Sequence, residues 1–148
     1  MTGKPANTPT AAPSLFDLFN TRKYAEMEAL ARSMVEANAN DGEAWKALGV
    51  ALKMLGKDAL APLQKAADLL PADAMAQFNC GVALHDNRNL EAAIAYYNRA
   101  LAIDSRNFKA HNNLGNALAD LDDVAAAKNA YERAIQSRPD FAEAHFNL

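Results

Sequence analysis

Cys80-Gly81-Val82-Ala83-Leu84 and Leu114-Gly115-Asn116-Ala117-Leu118 are one phrase written twice, 34 residues apart. Tyr97-Asn98-Arg99-Ala100-Leu101 and Tyr131-Glu132-Arg133-Ala134-Ile135 return at the same offset, and Asn79, Asn113 and Asn147 fall in step with them. A period of this length marks stacked supersecondary units rather than one closed core, because a single unit is too small to bury its own apolar face. Stacks of this kind present a long surface and seldom assemble a catalytic pocket.

Each unit reads as two amphipathic helices, from apolar spacing near 3.6 residues. In the clearest unit the first helix runs from about Phe108 to Asp120, with Ala110, Leu114, Ala117, Leu118 and Leu121 marking its apolar side. Gly115 sits mid-helix, where glycine costs roughly 1 kcal/mol relative to alanine. The expected return is close approach of the paired helix with no Cβ between them. Asp122-Asp123 supplies an N-cap, and the second helix runs to about Ser137 before Pro139 stops it. So short a turn makes the two helices antiparallel.

The totals agree with a repeat architecture. Glycine and proline number only six each in 148 residues, and alanine is plentiful. A net charge of -3 argues against a nucleic-acid phosphate partner, and no Lys/Arg cluster reverses it. No apolar run approaches the ~20 residues that cross a bilayer, so no membrane partner is expected. The N-terminus lacks the apolar core of a secretory signal, which makes the cytoplasm the expected compartment. One cysteine, Cys80, excludes an internal disulfide. Residues 1–13 carry three prolines and little apolar surface, and read as a disordered tail.

The spacing Trp-x2-Leu-Gly-x2-Tyr, then Ala-x3-Phe, Ala and Pro, is that of the tetratricopeptide repeat, which the chain resembles over residues 14 to 148. Trp45, Leu48, Gly49 and Leu52 open one unit; Gln77, Cys80, Gly81 and Leu84 the next; His111, Leu114, Gly115 and Leu118 a third. The resemblance implies an all-α, right-handed superhelical solenoid of antiparallel helix pairs. Its expected parts are a degenerate capping pair at 14–41, full units at 42–73, 74–107 and 108–141, and the start of a truncated fourth unit at 142–148. Two residues are missing from the first full unit near Gly56-Lys57-Asp58, which puts Pro62 in the first turn of its second helix. The phrases Phe19-Asn20-Thr21-Arg22-Lys23-Tyr24-Ala25-Glu26 and Arg138-Pro139-Asp140-Phe141-Ala142-Glu143-Ala144-His145 are similar to bacterial arrays fused ahead of O-linked N-acetylglucosamine transferase-like enzymes or sulfotransferases.

In that family the first helices line a concave groove that holds an extended peptide or a partner helix. Carried over, the groove comprises Lys46, Phe78, Asn79, Val82, Lys109, Asn112, Asn113, Asn116, Phe146 and Asn147, with Asp86 and Asp120 beside them. Asn79, Asn113 and Asn147 resemble an asparagine ladder, in which each amide grips peptide backbone through one donor and one acceptor edge. The carboxylate clamp of chaperone-binding arrays is incomplete, since Val50 and Asn113 stand where a further Asn and a basic residue belong.

Catalytic chemistry finds no foothold. His111 and His145 share the signature tryptophan position one repeat apart, about 10 Å at packed-helix spacing, whereas a zinc ion needs nitrogens at about 2 Å. They read as structural. Cys80 replaces a signature leucine and reads as a buried small hydrophobe. No phosphate loop or nucleophile elbow occurs, so no catalytic residue, metal or cofactor is expected. The leading expectation is a non-catalytic protein-interaction scaffold with a protein or peptide partner. Two others stand beside it: a homodimer through the apolar end at Leu148, and the substrate-selecting arm of a larger glycosyltransferase or sulfotransferase.

Overall fold

The structure, a computed structural model, describes residues 11–148, so most of the expected tail lies outside the described residues. Those residues form nine helices and no strand: α1 (Leu15–Asn20), α2 (Tyr24–Ala37), α3 (Gly42–Met54), α4 (Leu60–Leu69), α5 (Ala74–Asp86), α6 (Leu90–Ile103), α7 (Phe108–Asp120), α8 (Val124–Ser137) and α9 (Ala142–Asn147). The main contacts join consecutive helices, and α5 touches α7, as α7 touches α9, across the unit boundary. Among the described residues no helix is long and apolar enough to cross a membrane.

Several helix starts are written into the sequence. The side chains of Asp41, Asp73 and Asn107 cap α3, α5 and α7 by accepting from backbone N–H groups two or three residues on. Asp123 caps α8 in the same way, and Ser14 closes a capping box with Asp17 at α1. The internal turns repeat as strictly. Arg22, Gly56, Arg88 and Asp122 all lie in the left-handed region, with φ of 57°, 69°, 60° and 61°. After each, the next residue donates its N–H to the carbonyl of Leu18, Leu52, Leu84 or Leu118. This six-to-one closure satisfies a helix-end carbonyl. α1 is only six residues long, yet it turns into α2 through the same joint as the full units.

Packing rests on small residues. Ala31, Ala44, Ala51, Ala66, Ala76, Ala93, Ala100, Ala110, Ala117, Ala134 and Ala144 are wholly buried, and methyl side chains let neighbouring helices approach closely. The mid-helix glycines mark the closest approach within each pair. A Cβ on Gly115 would lie 2.5 Å from the Tyr131 ring, and one on Gly81 would lie 2.7 Å from the Tyr97 ring. Gly49 faces Leu63 in the same way. The helix cost of glycine is thus offset by a contact that no other residue permits.

Two details depart from expectation. The two-residue deletion falls after Gly56, but the turn is not shorter. It spans residues 55–59, two more than the other internal turns, and α4 is four residues shorter, with 10 against 14 in α2, α6 and α8. Keeping the left-handed joint at Gly56 and the Leu63 contact with Gly49 requires the missing residues to come from the start of α4. Pro62 sits in the first turn of that shortened helix, where its missing N–H breaks no ladder bond. Leu121, expected on the apolar side of α7, is exposed. It is the C-cap residue, where the chain has already turned away from the core.

Gly115→Ala tests the close approach. Alanine recovers roughly 1 kcal/mol of helix preference, but overpacking against a buried ring costs about 1–3 kcal/mol. The ring cannot swing clear, because its hydroxyl is tied to Asn116. Urea unfolding is expected to show a net loss of stability.

Candidate functional site: the concave face

The signature position at the start of each first helix does a mechanical job. Trp45 Nε1 donates to the Ala39 carbonyl at 2.9 Å, and Gln77 Nε2 to that of Ala67 at 2.9 Å. His111 Nε2 lies 3.0 Å from the Ser105 carbonyl and His145 Nε2 2.8 Å from the Pro139 carbonyl. A carbonyl only accepts, so both imidazoles carry their proton on Nε2. Four different side chains therefore hold the connection to the preceding unit. The histidines are structural ties, and among the described residues no group of three His, Cys, Asp or Glu is placed to hold a metal.

The expected groove residues separate into three environments. Asn79, Asn113, Val82 and Phe78 are half-buried on α5 and α7, with Phe78 tilted against Tyr97 at 6.0 Å. Lys109 is exposed, and so is Phe146, at 91%. Asn112 differs from the expected groove placement. It is only 1% exposed, covered by α9, and its Nδ2 donates to Glu143 Oε1 at 2.8 Å. Asn147 Nδ2 donates to both Asn112 Oδ1 and Asn116 Oδ1, each at 3.2 Å, and the Tyr131 hydroxyl donates to Asn116 Oδ1 at 2.9 Å. Asn112, Asn116 and Asn147 thus form an amide network tying α7 to α9. Asn79 and Asn113 have no such ties to other described residues.

The network exposes a contrast between neighbouring units. The register position of Asn116 is filled by Val82 one unit earlier, so Tyr97 loses the acceptor that Tyr131 has. Its hydroxyl is buried without a hydrogen-bond partner. Burial pushes the Tyr97 phenol well above the usual range, and the Asp86 charge adds to the rise. Asn113 lies near enough to temper that rise without completing a hydrogen bond.

Electrostatics lock the first positions of the groove. The Lys46 ammonium pairs with Asp73 on the next unit and with Glu43 at 2.8 Å. Burial pulls Lys46 down, but the two carboxylates together hold it above its ordinary value. Burial pushes Asp73 up, yet the Lys46 ammonium and the Ala76 and Met75 amides hold its carboxyl below the usual range. Asp120, on α7, accepts from His85 at 2.9 Å and Arg88 at 2.8 Å. The His85 hydrogen bond, then the Arg88 charge, hold its carboxyl low. The sequence alone does not pair His85 with Asp120. The signal was the His-to-Asp separation of about one repeat, 35 residues.

A family model described as TPR repeat matches residues 89–122, and one described as tetratricopeptide repeat matches residues 108–141. Residues 89–141 carry tetratricopeptide repeats. The first of these matches starts on the second helix of one unit and ends at the internal turn of the next, as a continuous period allows. Among solved structures the array is similar to MamA, with a TM-score of 0.84 at 22% identity over 93% of this chain and 82% of that one. It is similar to YrrB, described as a TPR protein with an unusual peptide-binding site, with a TM-score of 0.82 at 24% identity over 89% and 69%. It is also similar to the first TPR of Spaghetti bound to the HSP90 peptide SRMEEVD, with a TM-score of 0.70 at 26% identity over 72% and 86%. These likenesses show the tetratricopeptide fold. No curated protein matches the chain in sequence.

Outside the groove the array offers little for chemistry. Burial pushes the Cys80 thiol up to about 11, which leaves it protonated at neutral pH and a poor nucleophile. A cleft of about 440 Å³ opens among α6, α7 and α8, floored by His111, Leu114 and Leu118. It contains none of the expected groove residues.

Two measurements check this geometry. Tyr131→Phe removes a satisfied hydrogen bond and is expected to lower stability by about 1 kcal/mol, whereas Tyr97→Phe removes an unpaired buried hydroxyl and should leave stability unchanged or raise it. Paired thermal melts separate the two.

The Lys46–Asp73 pair predicts a pH profile. The contribution of Asp73 is present above the ordinary carboxylate value of 3.8 and is lost as pH falls through its lower folded value. The contribution of Lys46 is present below 10.5 and is lost as pH rises through its raised folded value. Asp73→Asn keeps a capping oxygen but removes the charge. It should lower the Tm plateau between these limits and flatten the acid limb.

Proposed function

We infer that the chain is a non-catalytic protein-interaction module that holds an extended peptide or a partner helix along the first helices α3, α5, α7 and α9. One observation carries the reading. Asn79 and Asn113, one repeat apart on successive first helices, are half-buried with amides not engaged by other described side chains. A polar group already held partly away from water gains more from a ligand hydrogen bond than a fully solvated one. Amides spaced by the unit repeat suit a main chain running across the helices, and they read no side chain. Asn147 offers its remaining oxygen at the same register, its nitrogen being committed to Asn112 and Asn116. The Asn112–Asn116–Asn147 network serves as a rigid backing for that surface, and Phe78 supplies apolar contact beside it. The peptide-binding site of YrrB and the HSP90 peptide bound to the first TPR of Spaghetti support the same use of the fold here.

Peptides selected from a display library on the intact chain provide the test. Their binding is expected to move the backbone amide resonances of α5 and α7. The double substitution Asn79→Ala with Asn113→Ala removes two hydrogen bonds of about 0.5–1.5 kcal/mol each, so affinity should fall roughly 5- to 150-fold. Shifts confined to α6 and α8 would sink the groove assignment.

A further inference from the structure

The groove has two chemically different ends. Phe16 on α1 is 72% exposed, Met54 on α3 and Met75 on α5 about half exposed, and Phe19, also on α1, is 42% exposed with its ring edge-on to Tyr24. Phe16 holds the register position that Val50 and Val82 fill in the next two units and that Asn116 fills on α7. Phe16, Met54 and Met75 thus add exposed apolar side chains at groove positions on α1, α3 and α5, whereas the α7–α9 end carries the amide network beside exposed Phe146. Large hydrophobic side chains clustered and exposed on one face mark an interaction surface, since isolated ones scatter.

Charge within the groove is largely cancelled internally. Lys46 on α3 is shared between Asp73 and Glu43. Asp120 is matched by His85 and Arg88. An acidic ligand reaching Lys46 would have to compete with Asp73 Oδ2 and Glu43 for the ammonium, while Asp73 Oδ1 caps α5 through the Met75 and Ala76 amides. Exposed Lys53, Asp86 and Lys109 lie outside these pairs, in solvent where attraction is weak and screened by salt.

We propose that the ligand is an extended peptide uncharged along its bound stretch, with bulky apolar side chains against Phe16, Phe19 and Phe78 and its main chain on Asn79 and Asn113. This rests on the groove reading above and adds the chemical class of the occupant. A neutral strand meets no ion that must be stripped of its partner, whereas an acidic tail of the SRMEEVD type does.

Fluorescence anisotropy with two labelled heptapeptides on the full chain decides it. One is SRMEEVD; the other is Ser-Leu-Asn-Phe-Ser-Val-Gln, acetylated and amidated so that it carries no charge. The neutral peptide is expected to bind at least about tenfold tighter, with Kd changing less than about twofold between low and high salt. Phe16→Ser and Phe78→Ser should each weaken it several-fold, while Val124→Ser, an exposed apolar residue on α8, leaves it unchanged. Tighter binding of SRMEEVD overturns the proposal and leaves the groove reading standing. Binding of neither peptide overturns both.

Discussion

The contact between a mid-helix glycine and the ring or leucine facing it is the constraint on which the array depends. Gly49 against Leu63, Gly81 against Tyr97 and Gly115 against Tyr131 bring each helix pair to a distance at which a single added carbon has no room. Because the same contact recurs in each full unit, the pairs share one spacing, and like helices come into line. A continuous concave face follows from that alignment. Interiors packed at crystal-like density convert one local distance into a long-range shape.

Two further devices keep the register from drifting. Within a unit, a left-handed residue followed by a bond back to a leucine carbonyl sets the turn, and it survives even where the first helix is reduced to α1. Between units, Trp45, Gln77, His111 and His145 each reach back to hold the connecting segment. The chemistry of the donor varies from indole to amide to imidazole, while the job of donating to a backbone carbonyl stays constant. That explains how histidine can fill a signature position that tryptophan and glutamine fill in the other units. It also explains how a two-residue deletion is absorbed: the joint and the glycine contact are kept, and the start of α4 is given up.

The face so formed is chemically uneven. Amides on α7 and α9 bind one another and the Tyr131 hydroxyl, whereas the preceding unit, with Val82 in place of an asparagine, strands the Tyr97 hydroxyl. Repeats that share a backbone thus differ in polar satisfaction. The carboxylates of Asp73 and Asp120 each join two units while neutralising cations at the groove, so the ion pairs that stiffen the superhelix also reduce the charge it offers to a ligand.

Much of this was legible in the chain alone. Periodicity, capping residues and turn residues act over a few neighbours, so the spans of α7 and α8, the cap at Asp123 and the close approach at Gly115 follow from local pattern. The burial of Cys80 and the structural nature of His111 and His145 follow from register. What the tertiary structure decided involves partners about a unit apart: Lys46 with Asp73, His85 with Asp120, Asn112 with Glu143, Asn116 with Asn147. Sequence spacing places such residues on the same face but does not say which meet, because that depends on how far one unit rotates against the next. Asn112 shows the difference. Its position marks it for the groove, yet α9 covers it, and stacking turns a candidate ligand-binding amide into part of the wall.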